Sequence, residues 1–548
     1  MARFGGGTVD GTGVLTLQQA SNATTMGVAG GAGALNYSLA DLAGLGANWT
    51  FVRLGSPTAT GTLTVGARAW DIPVDYRAAA AGSIVISGAQ TAVAASDTIF
   101  TFSGPATINA PLDLSNATGG TQAITFDDAA TVNADITSGG GDIVFNDTLS
   151  LNADVATAGG DITLADDVTL TGASSIDTDT TDIGFDGTLN GTFDLTLSTT
   201  GDITFGDDVG VGVALGDIAM ANAADVTFSG ELNAASLALT GGTGAVLVTG
   251  VADIANDIGI VTTGTVTFGD KLVYGGDAAV DAGASAMAFN GTVDGPGDFE
   301  LTTTNDISFG DDVGAVTRLG DVMLDPQHVA AAGVFNVGSF TLVNGTGNVS
   351  FLGLDATGDI SIDTDGNITG TYAGADGMLD AGTGSITATV SFTTLDIAGA
   401  AATLSAGYIG APGVADQTMA NLISIGGISY PVLVPDPAYT FAAFIIGGSP
   451  PAPPGGGGGG GGTGGGRTPP VLPPDPGTGP GPVTPPVTEP GGQPVTPAPE
   501  TSFHPLPFDI ARIQRSAEIM VLSTELPAVP ECDPDSSHSS CDALLHSR

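Results

Sequence analysis

The chain has 548 residues, 86 of them glycine and 32 proline, with a charged fraction of 12 %, two cysteines and a formal net charge of −48. A mean hydropathy of +0.29 excludes a disordered acidic chain, which would lack the apolar residues for a core. Between residues 78 and 466 the only basic side chains are Lys271 and Arg318, which argues against nucleic acid and anionic lipid as partners and in favour of cations or basic ones.

Residues 1–78 are the least regular part and hold both tryptophans, Trp49 and Trp70, with Arg3, Arg53, Arg68 and Arg77. Within them residues 35–42 predict a short helix capped by Ser38, and residues 61–66 return to strand alternation. They read as irregular early coils of the array that follows.

Residues 79–448 are that array. A Gly-Asp-Ile-Thr-Phe phrase recurs about every twenty residues: Ala123-Ile124-Thr125-Phe126, Asp142-Ile143-Val144-Phe145, Asp161-Ile162-Thr163-Leu164, Asp182-Ile183-Gly184-Phe185, Asp202-Ile203-Thr204-Phe205 and onward to Asn348-Val349-Ser350-Phe351, with one copy blurred before the last. A longer period is superposed: the stretch from Asp186 returns at Asn290, an offset of 290 − 186 = 104, and Leu215-Gly216-Asp217-Ile218 returns as Leu319-Gly320-Asp321-Val322. Apolar residues alternate with Thr, Ser and Asp, the two-residue period of a strand with one buried face, and Gly-Gly, Gly-Asp, Asn-Gly and Asp-Asp separate the runs. The expected fold is therefore all-β: a parallel β-solenoid of three short strands per coil, roughly 16 coils between residues 80 and 400, on the order of 75 Å long. Residues 449–500, with eight consecutive glycines from Gly455 and Pro-Val-Thr-Pro repeats, predict a disordered linker, and residues 501–548 form a tail that contains Cys532 and Cys541.

Chemistry is sparse. Polysaccharide cleavage on a β-helix needs carboxylates beside Arg or Lys, and Lys271 and Arg318 lie over two coils apart; of His328, His504, His538 and His546 only the first falls in the array. The chain reads as non-catalytic, with no cofactor. Asp-Asp pairs recur at Asp127-Asp128, Asp166-Asp167, Asp207-Asp208 and Asp311-Asp312, at equivalent places in their coils, where stacked carboxylates are weak candidates for calcium. Against that, Asp is a good turn former and the Gly-Gly-x-Gly-x-Asp order of dedicated calcium coils is missing. Ten Asn-x-Ser/Thr sequons, including Asn146, Asn190, Asn290 and Asn344, are what a Thr- and Asn-rich turn composition produces by chance.

The Gly-Asp-Ile-Thr-Phe coils, the Gly-Ala-Gly-Ala-Leu-Asn-Tyr-Ser-Leu-Ala-Asp-Leu stretch from Gly31 and the Pro/Gly linker before a Cys-bearing tail resemble filamentous haemagglutinin-type proteins, the adhesins and exoproteins of two-partner secretion in Gram-negative bacteria. The resemblance covers about residues 1–400 and implies a right-handed parallel β-helix, export through a dedicated outer-membrane pore, a location at the cell surface or outside the cell, and a role in adhesion, aggregation or biofilm through an unknown ligand. The chain departs from the pattern in having no apolar signal segment and no Asn-Pro-Asn motif near Met1, so it is expected to be the C-terminal portion of a longer protein or a split reading frame. Neither a translocator barrel nor a membrane-spanning helix is expected. Cys532 and Cys541 enclose the polar, turn-forming DPDSSHSS, which permits a disulfide. In some members of the resembling family a similar pair forms a loop that anchors the protein at the pore, and the resemblance implies that role for Cys532 and Cys541; free thiols and a local staple are the alternatives. A spacer or matrix scaffold, and a non-exported gene fragment, are the competing readings of the whole.

Overall fold

The computed structural model describes residues 7–399 apart from 94–97, 117–121 and 393, together with strand backbone at 401–409, 423–425, 428–429, 439–441 and 444–446. The linker and tail at 449–548, with Cys532 and Cys541, lie outside the described residues. The fold is an all-β parallel solenoid of about 17 turns. At roughly 4.8 Å per turn the stack is on the order of 80 Å long.

A regular coil gives one short strand to each of three faces, as in Ile143–Phe145, Leu149–Leu151 and Val155–Thr157. The coil above repeats them in register: Ile143 pairs with Ile162, Leu149 with Val168 and Val155 with Ile176, all in parallel. In these coils the strands are three residues long because turn-forming Gly, Asp and Asn cut them there, and three residues place two side chains inward and one outward. One continuous hydrophobic core results.

On the first face the last tetrad residue builds a column of rings. Tyr76, Phe102, Phe126 and Phe145 stack with centroids 4.9, 4.5 and 4.6 Å apart. After Leu164 the column resumes with Phe185, Phe205 and Phe228, at 4.9 and 4.4 Å, and after Val248 with Phe268, Phe289 and Phe309. The blurred copy of the repeat is Val329-Ala330-Ala331, which pairs with Ile307-Ser308-Phe309 below and Val349-Ser350-Phe351 above. Its missing ring is supplied from the second face: Phe335 packs edge-on against Phe309 at 4.7 Å and Phe351 at 5.0 Å.

Residues 7–78 enter the same ladders. Val14–Leu17 pairs with Phe51–Gly55, which pairs with Val74–Arg77, which in turn pairs with Thr98–Ser103. The predicted helix is present at Leu39–Leu42, with Ser38 and Asp41 forming a capping box. Beside it lies a buried polar centre. Gln90 donates to the carbonyls of Gly66 and Gly88 and accepts from Trp70 Nε1 at 2.8 Å and from the Tyr76 hydroxyl at 3.3 Å. Burial pushes the Tyr76 hydroxyl pKa well up, so it stays a donor.

One expectation is corrected. Alternation placed Thr and Ser outside, yet Ser138, Thr157, Thr199, Thr262 and Thr364 are buried at the turn from the third face to the first. Each satisfies its hydroxyl on a turn carbonyl, such as Thr157 on Gly141 and Thr262 on Gly244.

Candidate functional site: the carboxylate corners and two paired loops

Because every coil stacks on its copy, a turn residue meets its equivalent one coil away, about 20 residues along the chain. The Asp that opens each tetrad exploits this. The backbone N–H of Asp161 donates to Asp142 Oδ1 at 3.1 Å, Asp182 N–H to Asp161, Asp202 N–H to Asp182 at 2.8 Å, Asp225 N–H to Asp202 at 3.0 Å and Ala245 N–H to Asp225 at 2.7 Å. A second ladder runs down the corner between the second and third faces through Asp257, Asp277, Asp298 and Asp321, at 2.9, 3.0 and 2.8 Å. Each carboxylate closes the turn above it, and like charges stand about one coil rise apart, roughly 4.8 Å. Burial raises the Asp298 carboxyl pKa; the neighbouring Asp321 and Asp277 charges add to this, against the Asp321 N–H that lowers it.

The Asp-Asp pairs occupy the third corner, between the first and second faces. Their places are not all equivalent: Phe126 is in register with Phe145 and Leu164, so Asp127 matches Asn146 and Ala165, one step before Asp166. One misalignment follows from reading the dipeptide without its register. In the other three pairs the first Asp accepts from the N–H of the second, at 2.7 to 2.8 Å. The second accepts from the coil above: Asp167 from Thr188, Asp208 from Glu231 and Asp312 from Val334. Asp128 precedes Ala129, and Asp127 accepts from Ser103 Oγ at 2.9 Å. The pairs are separated by intervening coils, and among the described residues no three His, Cys, Asp or Glu side chains come together as a metal site requires. His328 faces Asp306 at 2.7 Å.

What the sequence reading missed is a pair of loops. In the regular coils the second face runs without an insertion and turns to the third in three or four residues, but residues 210–214 and 314–318 are inserted into the second face itself, ahead of Leu215 and Leu319, which pair with Ala234 and Val337. Gly210 and Gly314 have φ of 72° and 68°, and a Cβ there would fall 2.0 to 2.1 Å from the carbonyl oxygens of Asn233 and Asn336. Both loops are held from the coil below. Asn190 Oδ1 accepts from the N–H groups of Gly212 and Val213, at 2.9 and 3.1 Å, and Asp294 Oδ1 from those of Val316 and Thr317, at 2.8 and 3.2 Å. Asp294 is buried, and its Oδ2 faces Lys271 Nζ at 3.9 Å. Arg318 reaches across the next coils to the carbonyl of Val337 and to Asp355. The signal was present in the 104-residue offset, which maps Asn190 onto Asp294 and Asp167 onto Lys271.

No family model, no curated protein and no solved structure matches the chain. Among the described residues no helix is long and apolar enough to cross a membrane.

Proposed function

We propose that this chain is a non-catalytic rod of the bacterial surface or secreted matrix, acting in adhesion or aggregation by multivalent, individually shallow contacts. The observation that carries the reading is repetition itself. A solenoid of about 17 turns presents near-identical corners and faces every few ångströms, and weak contacts summed along one rigid body reach high avidity. A net charge of −48 makes bare rods repel one another, so contacts on this surface favour basic partners or bridging cations. The resemblance to filamentous haemagglutinin-type proteins supports export through an outer-membrane pore and a surface location, with Cys532 and Cys541 as the retaining loop. A structural spacer is the second reading; the coil-by-coil regularity favours it equally where no partner is bound.

Surface protease shaving and fractionation of native cells, with and without a reductant and with a Cys541→Ser variant, test location and anchor. Surface protein released to the medium on reduction or mutation is expected, and protein confined to the cytoplasm overturns the reading. Attachment of cells to surfaces coated with the purified full chain separates adhesion from spacing: the spacer leaves coated and bare surfaces alike.

A further inference from the structure

The two loops are a place where the described rod departs twice, in the same way, from its own repeat. Following the second-face register from Val209 through Leu232, Ala252, Leu272 and Val293 to Val313 takes five coils, so the loops stand on one face roughly 24 Å apart. Their tips are apolar and exposed: Val211 and Val213 are 43 % and 48 % exposed, and Val316 is 81 % exposed. The anchoring residues differ between copies while the loop does not. Asn190 stands over Thr169, two residues on from Asp167, and Asp294 stands over Val273, two residues on from Lys271, whose Nζ lies 3.9 Å from its Oδ2. The charge has been exchanged in a compensated way and the loop shape kept, as expected if the shape is what matters. Beside the line joining the two tips, on the corner that leads to the third face, runs the ladder of Asp257, Asp277 and Asp298.

We infer that this margin of the second face is a two-point docking edge for an extended, basic polypeptide segment that sets one apolar side chain against each loop tip and its positive charges along the carboxylates of the adjoining corner. The inference deepens the adhesive reading above and rests on it. An extended strand covers 24 Å in about seven residues, and side chains on one side of it fall at even spacings, so the anchors lie six or eight residues apart. Burying a valine tip against each anchor supplies an apolar contact, and the carboxylates give selection by charge and a strong salt dependence.

The test uses the full chain and synthetic peptides of alternating lysine and threonine in which two leucines stand six or eight residues apart, with a same-composition control in which the leucines are adjacent. One spaced peptide is expected to bind at least tenfold more tightly than the control, and Val213→Asp or Val316→Asp each to remove that advantage. Equal binding of spaced and adjacent peptides, or an advantage that survives both substitutions, overturns the docking edge and leaves general charge attraction. Cell attachment to the coated chain is scored in parallel: a rod that holds cells while ignoring leucine spacing overturns the edge alone, and one that holds neither overturns the adhesive reading as well.

Discussion

Asp202 shows what a single repeat residue does. Its Oδ1 accepts the N–H of Asp225 while its own N–H donates to Asp182, so it is both rung and neighbour in a stack of like charges. The two roles separate by substitution. Asp202→Ala removes the acceptor and is expected to cost about 0.5–1.5 kcal/mol, whereas Asp202→Asn keeps an acceptor, removes a charge and is expected to match or exceed the parent in thermal melting. Added salt narrows the gap between parent and Asn variant, since screening removes the repulsion that the Asn removes. Phe205 is buried between Phe185 and Phe228, and Phe205→Ala is expected to cost about 3–5 kcal/mol in chemical denaturation, more than any corner change. Burial raises the carboxyl pKa of both Asp298 and Glu300 above the ordinary range. In the window between the unfolded value and the raised folded value the folded chain binds more protons, so stability falls as pH rises through that window and returns on mild acidification. Melting measured across the mildly acidic range is expected to show that slope, and Asp298→Asn with Glu300→Gln to flatten it.

At the scale of the element, the strand–turn unit of the first face was legible because Ile-x-Phe flanked by Asp and Gly states both the alternation and its ends. Two things were not. Leu232–Gly242 and Val329–Gly345 run through corners that elsewhere break the strand, since their turns lack the Gly-Asp punctuation on which the reading relied. The corner ladders and loop anchors depend on hydrogen bonds between residues about 20 apart in the chain, which exist only once coils stack; the spacing was visible, but not which atom of one coil meets which atom of the next. The loop anchors can now be tested as interchangeable parts. Lys271→Asp places a carboxylate beside buried Asp294 and is expected to cost on the order of 1–3 kcal/mol, less than for a fully buried pair because Lys271 is partly in water. Adding Asp294→Asn recreates the Asp167 and Asn190 arrangement of the other copy and is expected to recover most of the loss. A double-mutant cycle in urea measures the coupling, and simple additivity of the two changes would show that the copies are not equivalent.

For the whole molecule, stability in a stacked solenoid is close to a sum over coils and the interfaces between neighbours, so coils can be removed if the new interface is as good as the old. The 104-residue offset identifies a cut that meets this condition. Deleting residues 210–313 joins Val209 to Gly314, whose backbone conformation matches that of Gly210. Phe205 then takes the place of Phe309 beneath Ala331 and Phe335, and Leu195 the place of Phe299 beneath Val322. Asn190 replaces Asp294 as acceptor for the N–H groups of Val316 and Thr317, as it already serves Gly212 and Val213. Arg318 keeps its partners because they lie in the coils above. The shortened chain is expected to fold with unchanged strand content and a cooperative melt, and to be shorter by roughly 24 Å in small-angle scattering. Having one loop in place of two, it is also expected to lose the preference for spaced leucines while still attracting basic peptides, which separates the geometry of the docking edge from the charge of the rod.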